Sequence, residues 1–373
     1  MGGAQWGGSE ALWYHVAMHA LKEADDVFIS VYDWGTPNKK LTELQVKGAT
    51  IHYRKRYNAE AGATEKIKRF IRKRNPSLDI DYQSIIAFKP DAVFISQGDS
   101  FDLAIHHRPL YELLLKHSLR YYFVCHSHAQ YSFIPTREIY PGAVDVFKNA
   151  NTVFFVSHRQ WRLTERRLAM KIDNGRFTWN PLDFQPPATP LPWPALDVLQ
   201  LAIVGSVDGS KGQDTALESL SKPQWKARQW ILNIYGEGYG QAYLRKLAEF
   251  YGISNRIVFH GHVTNVEKIW ETNHMILIPS AGEGLPISLV EAMACGRPAV
   301  VTDVGGNVEL ITDVENGFVA HSPTAEAFLT ALENAWLRKN DLQRIGQNAF
   351  NKINAVLEKS PEIKIYELLK DAE

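Results

Sequence analysis

Cysteine is scarce in this chain. Only Cys125 and Cys295 occur in 373 residues, each inside an apolar run. Two such thiols exclude a disulfide framework, and a reducing cytoplasm is the default setting for them. Net charge is missing as well: 41 Lys and Arg balance 41 Asp and Glu. A dedicated nucleic-acid binder carries a basic excess, so nucleic acid is not an expected partner. No apolar run reaches bilayer-spanning length, so the expected location is cytoplasmic, with at most peripheral contact at the inner membrane surface. Histidine pairs occur at His106–His107 and His126/His128, but no third ligand is spaced near either, so no metal or other cofactor is expected. Internal repeats are absent, and the one biased tract is rich in proline.

That tract, FQPPATPLPWPALD (184–197), holds five prolines. It can continue neither a helix nor a central strand, so it reads as a linker. Two domains fit the length, since single cores stop growing at roughly 250–300 residues. Short β-branched and aromatic runs alternate with helical patterns on both sides of it. The first half offers VFISVY (27–32), TIHYR (50–54), DAVFIS (91–96), YYFVC (121–125) and TVFFVS (152–157). The second offers LQLAIVG (199–205), WILNIYG (230–236), RIVFHG (256–261), HMILIP (274–279), PAVVT (298–302) and GFVAH (317–321). Continuous apolar runs mark strands buried on both faces of a parallel sheet, and strand–helix alternation marks a doubly wound α/β fold. The expectation is two Rossmann-like domains, 1–186 and 198–359, joined by 187–197 and facing across a cleft, with 360–373 returning to the first.

The richest segment is IPSAGEGLPISLVEAMACGRPAVV (278–301). A strand ends in a small-residue loop, Glu283 and Gly284 follow, and Pro286 suits a first helical position. Amides around Gly284 to Ser288 would face out of the helix end, where the helix dipole favours an anion. Glu291 lies about two turns inside that helix by spacing. Carboxylates beside an anion site suit hydroxyls, since each can accept two O–H bonds. Donors for a diphosphate between acceptors for sugars describe a nucleotide-sugar.

The stretch EGLPISLVEAMACGRPAV resembles the signature of family 4 glycosyltransferases, retaining enzymes of the GT-B fold. VGSVDGSKGQDTALESL (204–220), IYGEGYGQAYLRKLAEFYGISNRIVFHGHV (234–263) and GGNVELITDVENGFV (305–319) resemble the family's other segments, in order. In the first half GGSE (7–10), YYFVCH (121–126) and FVSHRQ…NPLD (155–183) match more weakly. The resemblance implies a metal-independent transfer of sugar from a nucleoside-diphosphate donor to a hydroxyl of a sugar, lipid-linked or polysaccharide acceptor. It implies that Lys211 contacts the diphosphate, Glu291 the ribose and Glu283 the transferred sugar. Backbone around Gly284, Leu285, Pro286 and Ile287 would hold the distal phosphate and sugar, and backbone near His262 and Val263 would meet the base, beside the turn at Gly236. His126 would approach the donor sugar, and Gly7 and Gly8 would let the first domain close on the phosphates. Ser206 stands where the family usually has Arg, and Ser cannot replace that charge. Arg297 and Lys268 are the substitutes that sequence offers. A binding or scaffold protein without turnover, or a GT-B epimerase, is the alternative.

Other matches are weaker. GSVDGSKG departs from a Walker A loop, since Gly212 stands where Ser or Thr is required. GEGYG (236–240) places its third glycine one residue early for a dinucleotide fingerprint. The basic run around helix 64–74, with Lys66, Arg69 and Lys73 on one stripe, could dock on anionic lipid or be a solvated face. Finally, the glycines of MGGAQWGGSE (1–10) open a helix with no strand before them. A shortened start is expected from this, with a first-domain sheet that lacks its central strand or shows a substitute.

Overall fold

The computed structural model describes residues 6–36, 38–55, 80–127, 136, 139–195 and 197–371. The basic stretch 64–74 and His128 lie outside the described residues.

Twelve strands are described: β1 (Phe28–Tyr32), β2 (Thr50–Arg54), β3 (Ala92–Asp99), β4 (Arg120–Ser127), β5 (Thr152–Phe155), β6 (Gly175–Phe177), β7 (Leu199–Val204), β8 (Trp230–Tyr235), β9 (Ile257–Gly261), β10 (Met275–Ile278), β11 (Ala299–Thr302) and β12 (Gly317–Ala320). Every pairing between them is parallel. The chain forms two Rossmann-like domains, the GT-B arrangement. β3 runs three residues past the expected end because Gln97, Gly98 and Asp99 continue alongside β4, with Gln97 opposite Cys125. β6, only three residues long, carries no run that pattern reading could catch.

In the second domain the order is β12-β11-β10-β7-β8-β9. The chain therefore reverses direction across the sheet between β7 and β10, the topological switch point where ligands of open α/β sheets bind. β10 and β11 are buried at every residue. Leu201 and Ile203 feed one core, Ala202 and Ile276 the other, so both faces are covered. That is why the sequence shows runs rather than alternation. Trp225 and Trp230 are at most 1% exposed, and Trp230 Nε1 donates to the Trp225 carbonyl at 2.7 Å. Each contributes on the order of 2–3 kcal/mol through burial.

Among the described residues the first domain has two sheets, β1-β2 and β3-β4-β5-β6. The helix Gly8–Lys22 lies against β3, and the last helix, Pro361–Lys370, packs on Gly8–Lys22. Tyr366 and Lys370 both bond the Asp25 carboxylate, at 2.8 and 2.7 Å.

The proline-rich stretch is docked on the second domain. Arg297, fully buried, donates to the carbonyls of Trp270, Leu191, Cys295 and Pro192. This corrects one expectation: a guanidinium with four backbone acceptors and no exposure cannot stand in for a phosphate-binding arginine. Lys268 is exposed on the helix Val266–Thr272.

Candidate active site

The site begins with the pairing of β7 and β10, in which Met275 lies opposite Leu201. Neighbouring strands deliver their following loops to one place. The loop after β7 carries Lys211, and the loop after β10 carries Glu283. Lys211 Nζ lies 2.8 and 3.0 Å from the two carboxylate oxygens of Glu283. Ser280 Oγ donates to the same carboxylate at 2.7 Å. Glu283 is 7% exposed, so this is a nearly buried ion pair rather than a solvated loop acid. Burial opposes the Lys211 charge, but Glu283's charge and hydrogen bonds outweigh it and its pKa is raised.

Glycines allow the loops to meet. Gly212 has φ +67°, and a Cβ there would lie 2.2 Å from the Pro279 carbonyl oxygen. Gly236, at φ +136°, would place a Cβ 1.9 Å from the Gly205 carbonyl oxygen. The turn at Gly236 therefore serves close packing of two strand-end loops. Ser206 is tied to Asp208 at 2.8 Å, and Asp208 also accepts from the amide and hydroxyl of Ser210. At the end of β9, His262 is exposed and its amide lies 3.4 Å from Glu237 Oε1, with Val263 half-buried beside it.

Two details of the third loop differ from expectation. Pro286 is the N-cap, and the helix runs Ile287–Ala294. Glu291 is its fifth residue, so it lies about one turn inside rather than two. Leu285 is 9% exposed and packs into the core, leaving backbone rather than side chain to face the cleft. Burial first, and the charge of Asp183 second, push the Glu291 carboxyl up to about 7. Asp183 itself is held down to about 2, by hydrogen bonding to His15, then against a burial penalty by Lys40.

The first domain closes directly on this loop. His126 is the next-to-last residue of β4, and a Cβ on Gly284 would lie 2.0 Å from the His126 carbonyl oxygen. His126 Nε2 sits 3.1 Å from Ser96 Oγ, while Nδ1 has no partner among the described residues. Burial lowers its pKa to about 3, so the ring is neutral. A Cβ on Gly8 would meet Ile287 Cδ1 at 2.7 Å. The Gly7 amide donates to Glu10 Oε2 at 2.9 Å within a capping box, so it is already committed. Glu309 accepts from the amides of His158 and Arg159 across the cleft, at 3.1 and 2.6 Å, and Arg159 pairs with Asp303.

The structure thus brings Lys211, Glu283, Gly284, Ile287, Gly8 and His126 together. Sequence reading missed Asp183, Glu237 and the Glu309–Arg159 latch, because their roles are contacts between segments with no local signature; it also passed over Ser280, three residues before Glu283 in the same loop. Among the described residues no group of three His, Cys, Asp or Glu is placed to hold a metal ion, and no helix is long and apolar enough to cross a membrane.

Gly284→Ala is expected to lower kcat/KM roughly 10²-fold by holding the domains apart, a loss typical of ångström-scale misplacement. Gly8→Ala should cost far less, since it meets only the flexible end of Ile287. Steady-state kinetics with small-angle scattering checks this; equal, small effects from both would show that this contact is not needed for the reaction.

Residues 195–352 match the family model for glycosyl transferases group 1. A putative glycosyltransferase, EpsD of Bacillus subtilis, is 28% identical over 138 residues, which is 37% of this chain and 36% of that one. Lipopolysaccharide glucosyltransferase WaaG of Escherichia coli is 28% identical over 141 residues, 38% of this chain and 37% of that one. These matches span a little over a third of each relative's length. HepE of Anabaena, solved with UDP-glucose, aligns with a TM-score of 0.72 at 13% identity, covering 99% of this chain and 96% of that one. The outer-core galactosyltransferase WaaB aligns at 0.68 and 16% identity over 99% of this chain and 98% of that one. At such identities the likeness is one of fold.

Proposed function

We propose that this chain is a retaining glycosyltransferase of family 4 that moves a sugar from a nucleoside-diphosphate donor to an acceptor hydroxyl in glycan, glycolipid or polysaccharide synthesis. The observation that carries the reading is the convergence of Lys211, Glu283 and the Ile287 helix end at the switch point, with His126 of the other domain against Gly284. The group 1 match of the second domain supports it, and the neighbour solved with UDP-glucose makes a uridine donor the first to try.

In this reading the bond from the sugar's anomeric carbon to the diphosphate oxygen breaks, and the acceptor oxygen bonds that carbon from the same face. The acceptor's proton passes to the leaving phosphate. Lys211 and the amides that open the Ile287 helix stabilise the charge that develops there. These fixed positive groups serve without a metal. Glu283 orients sugar hydroxyls and Glu291 accepts from the ribose. Acceptor choice belongs to the first domain, and the basic stretch 64–74 is its proposed membrane contact.

One observation favours a second reading. Ser206 is bonded to Asp208 and Arg297 is buried, so neither fills the place of the arginine usual at position 206. A nucleotide-sugar-binding protein without turnover would fit that. Release of nucleoside diphosphate from uridine, guanosine and adenosine diphosphate-sugars, with and without a chelator, separates the two. Turnover of one donor, undiminished by chelation, is expected. No turnover, with nucleotide binding unchanged in Glu283→Ala and Glu291→Ala, would sink the transferase reading.

A further inference from the structure

A groove of about 870 Å³ opens where the two domains meet the closing segment of the chain. That is the size of a site for a drug-sized molecule. The first domain lines it with His158 and Arg162, one turn apart on the helix His158–Leu168, and with Phe177 and Trp179, at and just beyond the end of β6. The second domain adds Leu285, Leu310, and Lys352 and Val356, one turn apart on the helix Leu342–Val356. Lys211, Glu283, Glu291 and His126 do not line it, so it is separate from the proposed donor site. Gln160 leaves the opposite side of the first of these helices and donates to the Ser127 carbonyl at 3.1 Å, so the end of β4 lies away from the groove.

The floor of the groove is apolar. Trp179, Leu285 and Leu310 are buried, and Phe177 packs against the same core. Phe177 meets Trp179 edge-on at 5.3 Å between ring centroids, and the His158 ring stacks on it at 4.9 Å. Val356, 41% exposed, carries this surface out to the rim.

Charges stand around that floor, and they are not balanced. Lys364 pairs with Glu358 at 2.5 Å. Glu309 accepts from the amides of His158 and Arg159. Arg162 and Lys352 are exposed, and neither has an ion-pair or hydrogen-bond partner among the described residues. One comes from each domain. Like charges facing one space repel, and an anion between them reverses the sign of the interaction.

We infer that this groove binds a flat-ringed organic anion, its phosphate or carboxylate head between Arg162 and Lys352 and its ring against Phe177, Leu310 and Val356. The arginine fork suits a phosphate or carboxylate, and the lysine adds a point charge. An inorganic anion would leave the apolar floor unused, and a neutral ring would leave the two cations unmatched. The Phe177 and His158 rings favour an aromatic body over a chain, since aromatic packing adds to the area buried. Because each domain supplies one cation, the bound anion ties the domains together beside the Glu309 contact. That is the position of an effector rather than of a substrate.

Calorimetry on the full chain tests this, with naphthyl phosphate as the probe and naphthol, octyl phosphate and inorganic phosphate as comparisons. Excess uridine diphosphate is present throughout, to occupy a phosphate site at Lys211. One molecule of naphthyl phosphate is expected to bind per chain, with each comparison at least about 10-fold weaker. Arg162→Gln and Lys352→Gln should each weaken binding roughly 10-fold, the loss of a hydrogen bond to a charged group, and Lys352→Glu should abolish it. Both positions are exposed, so the variants should fold, and thermal melts check that they do. No saturable binding of naphthyl phosphate, or binding unchanged by both Gln variants, overturns the proposal. Naphthol binding as tightly would remove the two cations from the site, and octyl phosphate binding as tightly would overturn the ring. No readout involves sugar transfer, so failure of one reading does not imply failure of the other.

Discussion

Lys211→Ala is expected to slow donor turnover by roughly 10²–10³-fold and to lower stability by about 3 kcal/mol, the lower end of what breaking a buried ion pair costs. The two losses have different causes. Turnover falls because the proposed charge on the leaving diphosphate loses its preorganised cation. Stability falls because Glu283, 7% exposed, is left with the Ser280 hydroxyl as its remaining partner in the ion-pair cluster. The Lys211 side chain is itself only 30% exposed, so solvent screens the pair little. Adding Glu283→Gln to Lys211→Ala removes the stranded charge, and should restore most of the stability and none of the activity. Urea unfolding and a diphosphate-release assay read the two effects separately. Turnover of Lys211→Ala within a few-fold of the parent would reduce Lys211 to a structural partner of Glu283. On the proposed mechanism the pair is also a resting state: an arriving diphosphate competes for Lys211 and frees Glu283 for sugar hydroxyls.

Glu291→Gln should do two opposite things. Burial, then the charge of Asp183, raise the Glu291 carboxyl from 4.5 to about 7. A carboxyl with a raised folded pKa favours the fold when protonated. That contribution is complete below about pH 4.5 and is lost as the pH rises to about 7. Above pH 7 the parent carries the whole penalty, and Gln removes it. The variant should therefore be more stable at pH 8 by up to about 3 kcal/mol, and little changed at pH 5. Nucleotide binding should move the other way. Ribose hydroxyls need an ionised acceptor, so the parent's affinity should rise with pH through about 7. The variant should bind roughly 10–100-fold more weakly, through loss of hydrogen bonds to a charged group, and show no such rise. Melts and calorimetry from pH 5 to 8.5 test both limbs. Equal stability at pH 8 would mean that the carboxylate is not penalised, and flat binding in the parent would remove Glu291 from the ribose.

Particular residues show what could be read in advance. Runs such as HMILIP and PAVVT announce doubly buried parallel strands because both faces of β10 and β11 are covered. Glycine and proline announce the loops because only certain backbone angles let them meet. The environments of single side chains were less legible. Arg297 looked like a spare phosphate ligand, and its position between the linker carbonyls depends on segments about a hundred residues away. Glu283 read as a sugar ligand beside an anion site, and its pairing with Lys211 depends on β7 lying beside β10.

Periodicity, glycine placement and proline content are local properties. By themselves they determined the alternating α/β architecture, the two-domain division and the loops that would carry chemistry. Strand order, burial and ion pairing are non-local. Only the tertiary structure decided that Lys211 and Glu283 form a pair, that Arg297 pins a linker, and that Gly284 is the point of closure. The reason is physical: a charge's partner and a strand's neighbour are set by which segments the sheet brings side by side.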